Sequence, residues 1–305
     1  MIADRLTPRG FFDRASALLA IVLLLVTSGC GDGGDDDYNP DLFAVEFAAD
    51  AFVTVGEDYA IANSAEGEDF YLQSVDCCGA LEAIGFGDDL WFTAGHDGVV
   101  FTSTDTANWF VQFLDTDETM RGAAFGAGTY VLVGGDGEVF SSTNAGAWAF
   151  EDTDTRETLH DVVFVVDRFV AVGAAGTIVT SPDGSEWTAE TSGVTEDLYG
   201  VGWGGGSFVA VGENGTILTS DDGVSWTSID SPALKDLHEV THGAGSFVVV
   251  GDDGTILTSP DAVTFTEQRS GSSKDLFGVT FGEGLFVAVG RDAEILDSTD
   301  GVDWF

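Results

Sequence analysis

An all-β chain folded as a seven-bladed β-propeller is what three features of this 305-residue sequence predict. A 39-residue unit recurs seven times without a gap, and each copy holds four short apolar runs set between Gly- and Asp-containing turns. No long stretch carries the 3.6-residue period of an amphipathic helix. The copies begin at Leu42, Leu81, Met120, Leu159, Leu198, Leu237 and Leu276. A four-stranded sheet of this length cannot bury both of its faces alone, so successive copies must pack face to face. Radial packing closes such sheets into a ring that leaves only short, protected edges. A β-solenoid is the other architecture open to stacked repeats, but its coils are usually shorter and need not carry four strands.

Composition bounds the function classes. With 53 acidic and 10 basic residues the formal charge is −43, a field that repels nucleic-acid phosphates rather than collecting them. Nucleic acid is therefore excluded as a partner. So much charge often signals disorder, yet 44% of the residues are hydrophobic and only 5 are Pro, which suits a folded chain of short strands.

Residues 1–29 read as an export signal: three Arg precede a 12-residue apolar run, residues 15–26, too short for the roughly 20 residues that a spanning helix needs. Thr27, Ser28 and Gly29 then lead into Cys30. Small residues directly before a Cys resemble the lipobox of bacterial lipoproteins, although Thr27 stands where that pattern more often has Leu. The resemblance implies cleavage before Cys30 and a lipid anchor on its sulfur, hence a bacterial cell-envelope location with the leaflet left open. An ordinary cleaved signal with an incidental Cys is the alternative. Residues 30–41 form an acidic Gly/Asp tether, and residues 42–305 form the propeller.

Within the repeat, an aromatic stands ten residues after each leading residue (Trp91, Phe208), a Gly four further on (Gly95, Gly212), and a Ser eight beyond that (Ser103, Ser220). A second aromatic follows six residues later. The stretches Ser181-x-Asp183-x-x-x-Trp187, Ser220-x-Asp222-x-x-x-Trp226 and Ser298-x-Asp300-x-x-x-Trp304 resemble the Asp-box (BNR) repeat of sialidase-like propellers, shortened by one residue. They are still more similar to repeats of the photosystem II assembly factor family and its bacterial relatives. That resemblance covers residues 42–305 and speaks to fold more than to function. The box has a structural reading: Ser and Asp oxygens take turn N–H groups, Gly supplies φ > 0, and the aromatic wedges between sheets. Copies one, two, three and six depart from it, with Glu66 and Asn144 in place of Asp, Thr106, Ala145 and Ala262 in place of Gly, and Phe70 and Phe265 in place of Trp, which predicts looser turns there. The last copy stops about nine residues short of a full repeat, so its outer strand should be stunted, and residues 38–41 are expected beside it.

No enzyme class emerges. Sialidase chemistry needs an Arg cluster, a Tyr nucleophile with a partner acid, and a second acid, whereas the five Arg beyond the signal are scattered over different copies. The basic patch of the photosystem assembly factor is also missing, so its specific function is not carried over. No Gly-x-Ser-x-Gly occurs at a strand-to-helix turn, four His scattered over three copies give no metal-ligand spacing, and no cofactor is expected. Acidic loops at Asp115, Asp117, Glu118, Glu151, Asp152, Asp154 and Glu157 leave Ca²⁺ as an alternative to a merely solvated surface.

Positions that vary at a fixed place in the repeat are free for recognition. One residue after each leading residue stand Phe43, Glu82, Arg121, His160, Tyr199, His238 and Phe277, expected to line one ring at the upper face. Filling the mouth of a channel is their plainer role. Cys77 and Cys78, adjacent in the connection from copy one to copy two, admit a vicinal disulfide, an intermolecular bridge or a reduced pair, and the vicinal ring is favoured in an exported chain. The sequence thus predicts a lipid-anchored, non-catalytic envelope module that binds a protein or glycan, attached to the membrane through lipid. The alternatives are a glycan-active hydrolase of sialidase-like architecture and a purely structural envelope protein.

Overall fold

The computed structural model describes residues 39–67, 70–74 and 79–305. Cys30, Cys77 and Cys78 lie outside the described residues, as do residues 1–29, expected to be an export signal, and most of the expected tether. Seven antiparallel sheets follow one another around a ring, each with its strands in sequence order from the inside out. The fifth blade is representative, with strands Leu198–Gly204, Ser207–Gly212, Ile217–Ser220 and Thr227–Ile229. Six blades have four strands and the seventh has three. Its missing outer strand is reduced to Phe305, whose backbone exchanges two hydrogen bonds with Asp297 at 3.1 and 3.2 Å.

Turn chemistry sets the strand order. The first two strands of a blade join through tight hairpins whose two central residues take φ > 0, as in Asp88-Asp89 and Gly205-Gly206, the geometry that matches the right-handed twist of the strands. In blades two to seven the second and third strands join through a single 3₁₀ turn with two residues at positive φ, Asn214 and Gly215 in blade five. Third and fourth strands join through the Ser-x-Asp turn. In blade five Ser220 Oγ accepts the Gly223 N–H at 2.9 Å, Asp222 Oδ1 accepts those of Val224 and Ser225 at 2.9 and 2.8 Å, and Trp226 Nε1 donates back to the Gly223 carbonyl at 3.1 Å. Those N–H groups hold the Asp183, Asp222 and Asp300 carboxyls below the usual carboxylate range.

Copies two, three and six keep this turn rather than loosening it, while part of the copy-one turn lies outside the described residues. Asp105, Asn144 and Asp261 each accept two turn N–H groups, and Thr106, Ala145 and Ala262 adopt φ of 57°, 51° and 59° where the other copies use Gly. The departures are absorbed as left-handed backbone strain, about 1 kcal/mol per residue. In copy three Trp148 Nε1 is buried without a partner.

The core lies between blades. Each apolar cluster joins two neighbours, as where Val209, Val211 and Ile217 of blade five meet Leu237, Val240, Phe247 and Leu257 of blade six. The same kind of cluster joins blade seven to blade one through Val287, Val289, Ile295, Leu42, Val45 and Phe52. Close approach recurs at the seam: a β-carbon at Gly282 would stand 2.0 Å from the Phe47 ring, as one at Gly243 would from Phe281. The ring is therefore closed by the contact that builds it. Asp41 and Pro40 complete the seam, accepting the N–H groups of Asp292 and Ala293 at 2.8 Å each. The segment before the first blade thus grips the upper turn of blade seven. It does not pair beside the outer strand, where Phe305 already sits.

Candidate functional site

One backbone irregularity builds the site. In all seven blades the pairing of the two inner strands slips by one residue, as between Leu198↔Gly212 and Gly200↔Val211. The residue left without a partner is the one after each leading residue: Phe43, Glu82, Arg121, His160, Tyr199, His238 or Phe277. A bulge of this kind turns a side chain out of the sheet, here toward the central channel. The repeated Gly fourteen residues into each copy belongs to the same device. A β-carbon at Gly212 would lie 1.9 Å from the Asp197 carbonyl oxygen, so only Gly allows the two strands to close over the bulge.

All seven bulged residues border one channel of about 740 Å³. Five form a continuous arc: His160 to Tyr199 at 5.3 Å between ring centroids, Tyr199 to His238 at 5.7 Å, His238 to Phe277 at 5.4 Å and Phe277 to Phe43 at 5.7 Å. The remaining two close the circle as an ion pair, Glu82 with Arg121, and Glu82 also meets His96 Nε2 at 3.0 Å. His238 is tied to Asp252 at 2.7 Å. His160 and His238 are thus separated by Tyr199. Burial, then the Arg121 charge, lowers the His160 pKa to about 4, so the ring is neutral near pH 7, and its Nε2 is buried without a partner. Burial and surrounding acids push the Tyr199 hydroxyl up to about 12.

Below the arc stand three residues that the sequence reading passed over: Glu46 on the inner strand Leu42–Ala48, Asp161 on Leu159–Val165 and Glu239 on Leu237–Gly243. Asp161 Oδ2 reaches across to blade five and accepts the Val201 N–H at 2.8 Å, while its Oδ1 takes the Val162 N–H at 2.7 Å. Glu239 Oε1 accepts the Val240 N–H at 2.7 Å and lies against Gly200 on the other side of that blade-five strand. Burial pushes Glu46 up to about 7 and Asp161 up to about 6. Glu239 is raised well above the usual range by burial, then by the Asp161 charge. A signal was present: at these two repeat positions the other copies carry Ala, Gly, Val or Thr. Phe86, Phe125, Phe164, Trp203, His242 and Phe281 border the channel beyond them, each packed on an aromatic of its own blade, as His242 is on Phe247 at 4.8 Å.

The acidic loops engage their own surroundings. Glu151 accepts the Ser141 hydroxyl, Asp152 the Asp154 N–H, and Asp136 pairs with Arg156. Among the described residues no three His, Cys, Asp or Glu side chains converge as a metal-ion site, and no helix there is long and apolar enough to cross a membrane.

No family model and no curated protein matches the chain. Solved structures do. YCF48 from Cyanidioschyzon merolae, a photosystem II assembly factor, superposes with a TM-score of 0.68 at 16% identity over 85% of this chain and 96% of its own. A structure of YCF48 bound to D1 peptide gives 0.61 at 16% over 74% and 80%, and the WD40 β-propeller domain of Doa1 gives 0.65 at 12% over 87% and 96%. At such identities the likeness shows the fold alone: the chain is a seven-bladed β-propeller similar in structure to the photosystem II assembly factor.

Proposed function

We propose that this chain is a non-catalytic binding module, exported and held in the bacterial envelope by a lipid on Cys30, that presents the mouth of its channel to a protein or glycan. The observation that carries the reading is the set of seven bulged side chains turned to one rim, five of them aromatic or imidazole rings in contact. Rigid aromatic anchors on a fixed scaffold supply contact area at small entropic cost. A similar propeller has been solved with a peptide bound, which supports a protein partner. The Ser-x-Asp turns are read as a kin of the Asp-box with a structural role.

The three channel carboxylates favour a second reading, a hydrolase acting on glycans. Paired acids in such enzymes work because their environments push their pKa values apart. Here Glu46, Asp161 and Glu239 all move upward together, and both Asp161 oxygens already hold backbone N–H groups. That pattern fits binding better than acid–base work. Affinity capture from the native envelope tests the choice. Wild type should retain a partner that the Tyr199→Ala, Phe277→Ala double variant loses, with no turnover of chromogenic glycosides. Asp161-dependent glycoside turnover would establish the hydrolase instead. Intact-mass measurement tests the anchor: acyl chains should be present on Cys30 and vanish in Cys30→Ala, and an unacylated wild type would remove the anchor from the proposal.

A further inference from the structure

The charge around the mouth restricts what can enter it. Arg121, Lys235, Lys274 and Arg291 each already pair with a carboxylate: Glu82, Asp253, Glu294 and Asp275. The upper rim therefore offers acids in excess on a chain of charge −43. Inside the channel Glu46, Asp161 and Glu239 have no Lys or Arg within ion-pair distance among the described residues. Above them lies the arc of Tyr199, His238, Phe277 and Phe43, whose ring faces attract cations.

We infer that the mouth recognises a Lys- or Arg-bearing peptide segment of its partner, one cationic side chain passing the aromatic arc to reach the carboxylates of Glu46, Asp161 and Glu239. The inference rests on the binding-module reading and names the partner's chemistry. A negative rim draws a basic segment in and repels an acidic one. Desolvated carboxylates that repel one another are relieved by a cation, whereas a neutral sugar leaves that repulsion in place. Arg suits the site well, since its planar guanidinium stacks on aromatic faces and donates to carboxylates at once. A channel of about 740 Å³ holds such a side chain with room to spare.

The probe is a fluorescein-labelled, end-blocked tetra-arginine peptide, titrated onto the mature chain at about 150 mM salt, where exposed charges are screened beyond about 8 Å. Glu46→Gln and Asp161→Asn should each weaken binding by about fivefold or more, and Tyr199→Ala by about threefold or more. The double variant Asp167→Asn, Glu283→Gln removes two exposed charges from the opposite-face hairpins and should change it less than about twofold. Thermal melts of each variant confirm folding. Equal losses for channel and hairpin variants, or equal binding of a tetra-aspartate peptide, would overturn the inference in favour of a diffuse surface effect or no cation preference. A captured envelope partner that depends on Tyr199 but is not displaced by tetra-arginine would defeat this inference alone. Capture independent of Tyr199 would defeat the module reading beneath it.

Discussion

Glu46→Gln should make the protein more stable above neutrality and flatten part of its pH dependence. Glu46 lines the channel, and burial raises its pKa from 4.5 to about 7. The folded state thus holds that proton more tightly than the unfolded chain does. Its stabilising contribution is fully present below about pH 4.5 and is lost as the pH rises through about 7. At about 1.36 kcal/mol per pKa unit the full shift amounts to about 3 kcal/mol, and water in the channel screens part of it, leaving about 2 kcal/mol. For a domain of this size that corresponds to about 4–8 °C in Tm. Circular-dichroism melts of both proteins between about pH 5 and 8, at fixed ionic strength, provide the assay. Acidification also relaxes the repulsion within a chain of charge −43, but it does so in both proteins, so the diagnostic quantity is the difference between them. That difference should be small at the acid end and reach its full size, in favour of Glu46→Gln, at the alkaline end. A difference independent of pH would refute the reasoning. Asp161→Asn should show the same pH-dependent difference over a lower window, between 3.8 and about 6, on top of a pH-independent loss, because its amide nitrogen cannot accept the backbone N–H that a carboxylate oxygen holds.

Trp226 packs half-buried against Phe208 and the apolar cluster between blades four and five, so Trp226→Ala should cost about 2–3 kcal/mol in urea unfolding, somewhat less than a fully buried Trp. An unchanged midpoint would mean that the box aromatic does not join the blades. Gly212→Ala would drive a β-carbon against the Asp197 carbonyl and should cost about 3 kcal/mol or fail to fold, whereas Gly128→Ala, with open space and only its φ of 78° to oppose it, should cost about 1 kcal/mol. Equal losses would show that close approach is not what the repeated Gly serves. For Cys77 and Cys78 a vicinal disulfide is expected, so an unreduced digest treated with alkylating agent should show neither Cys modified. Two alkylated Cys in protein isolated from cells without reductant would exclude the ring.

The architecture was legible because a strict 39-residue period repeats the same burial demand seven times, and only a closed ring satisfies it for every copy. The variable position that holds Tyr199 and His238 was legible too, as a contrast with the nearly uniform aromatic position four residues on. Its cause was not: a bulge is a register event between two strands, and one strand's residues do not reveal it. Glu46, Asp161 and Glu239 stood out among small residues at their repeat positions, yet comparing one position across copies could not show that acids at different offsets, in blades one, four and six, share a channel. Thr106, Ala145 and Ala262 suggested looser turns because Gly was missing, but hydrogen bonds accepted by Asp105, Asn144 and Asp261 from turn N–H groups hold the left-handed backbone in place. The seam at Asp41 was misplaced for a related reason. Other blades use Asp197, Asp236 and Asp275 in the same way, accepting an upper-turn N–H from the blade before, and the repeat read as a linear string hides that blade seven is the blade before blade one.

The central claim is that recognition occurs at the bulged ring, and site-specific photocrosslinking tests it most directly. With p-benzoylphenylalanine replacing Tyr199, irradiation in intact cells should join the protein to one discrete partner. The same group replacing Glu283, on an opposite-face hairpin, should yield none. Crosslinking from the hairpin position with none from the ring would contradict the account.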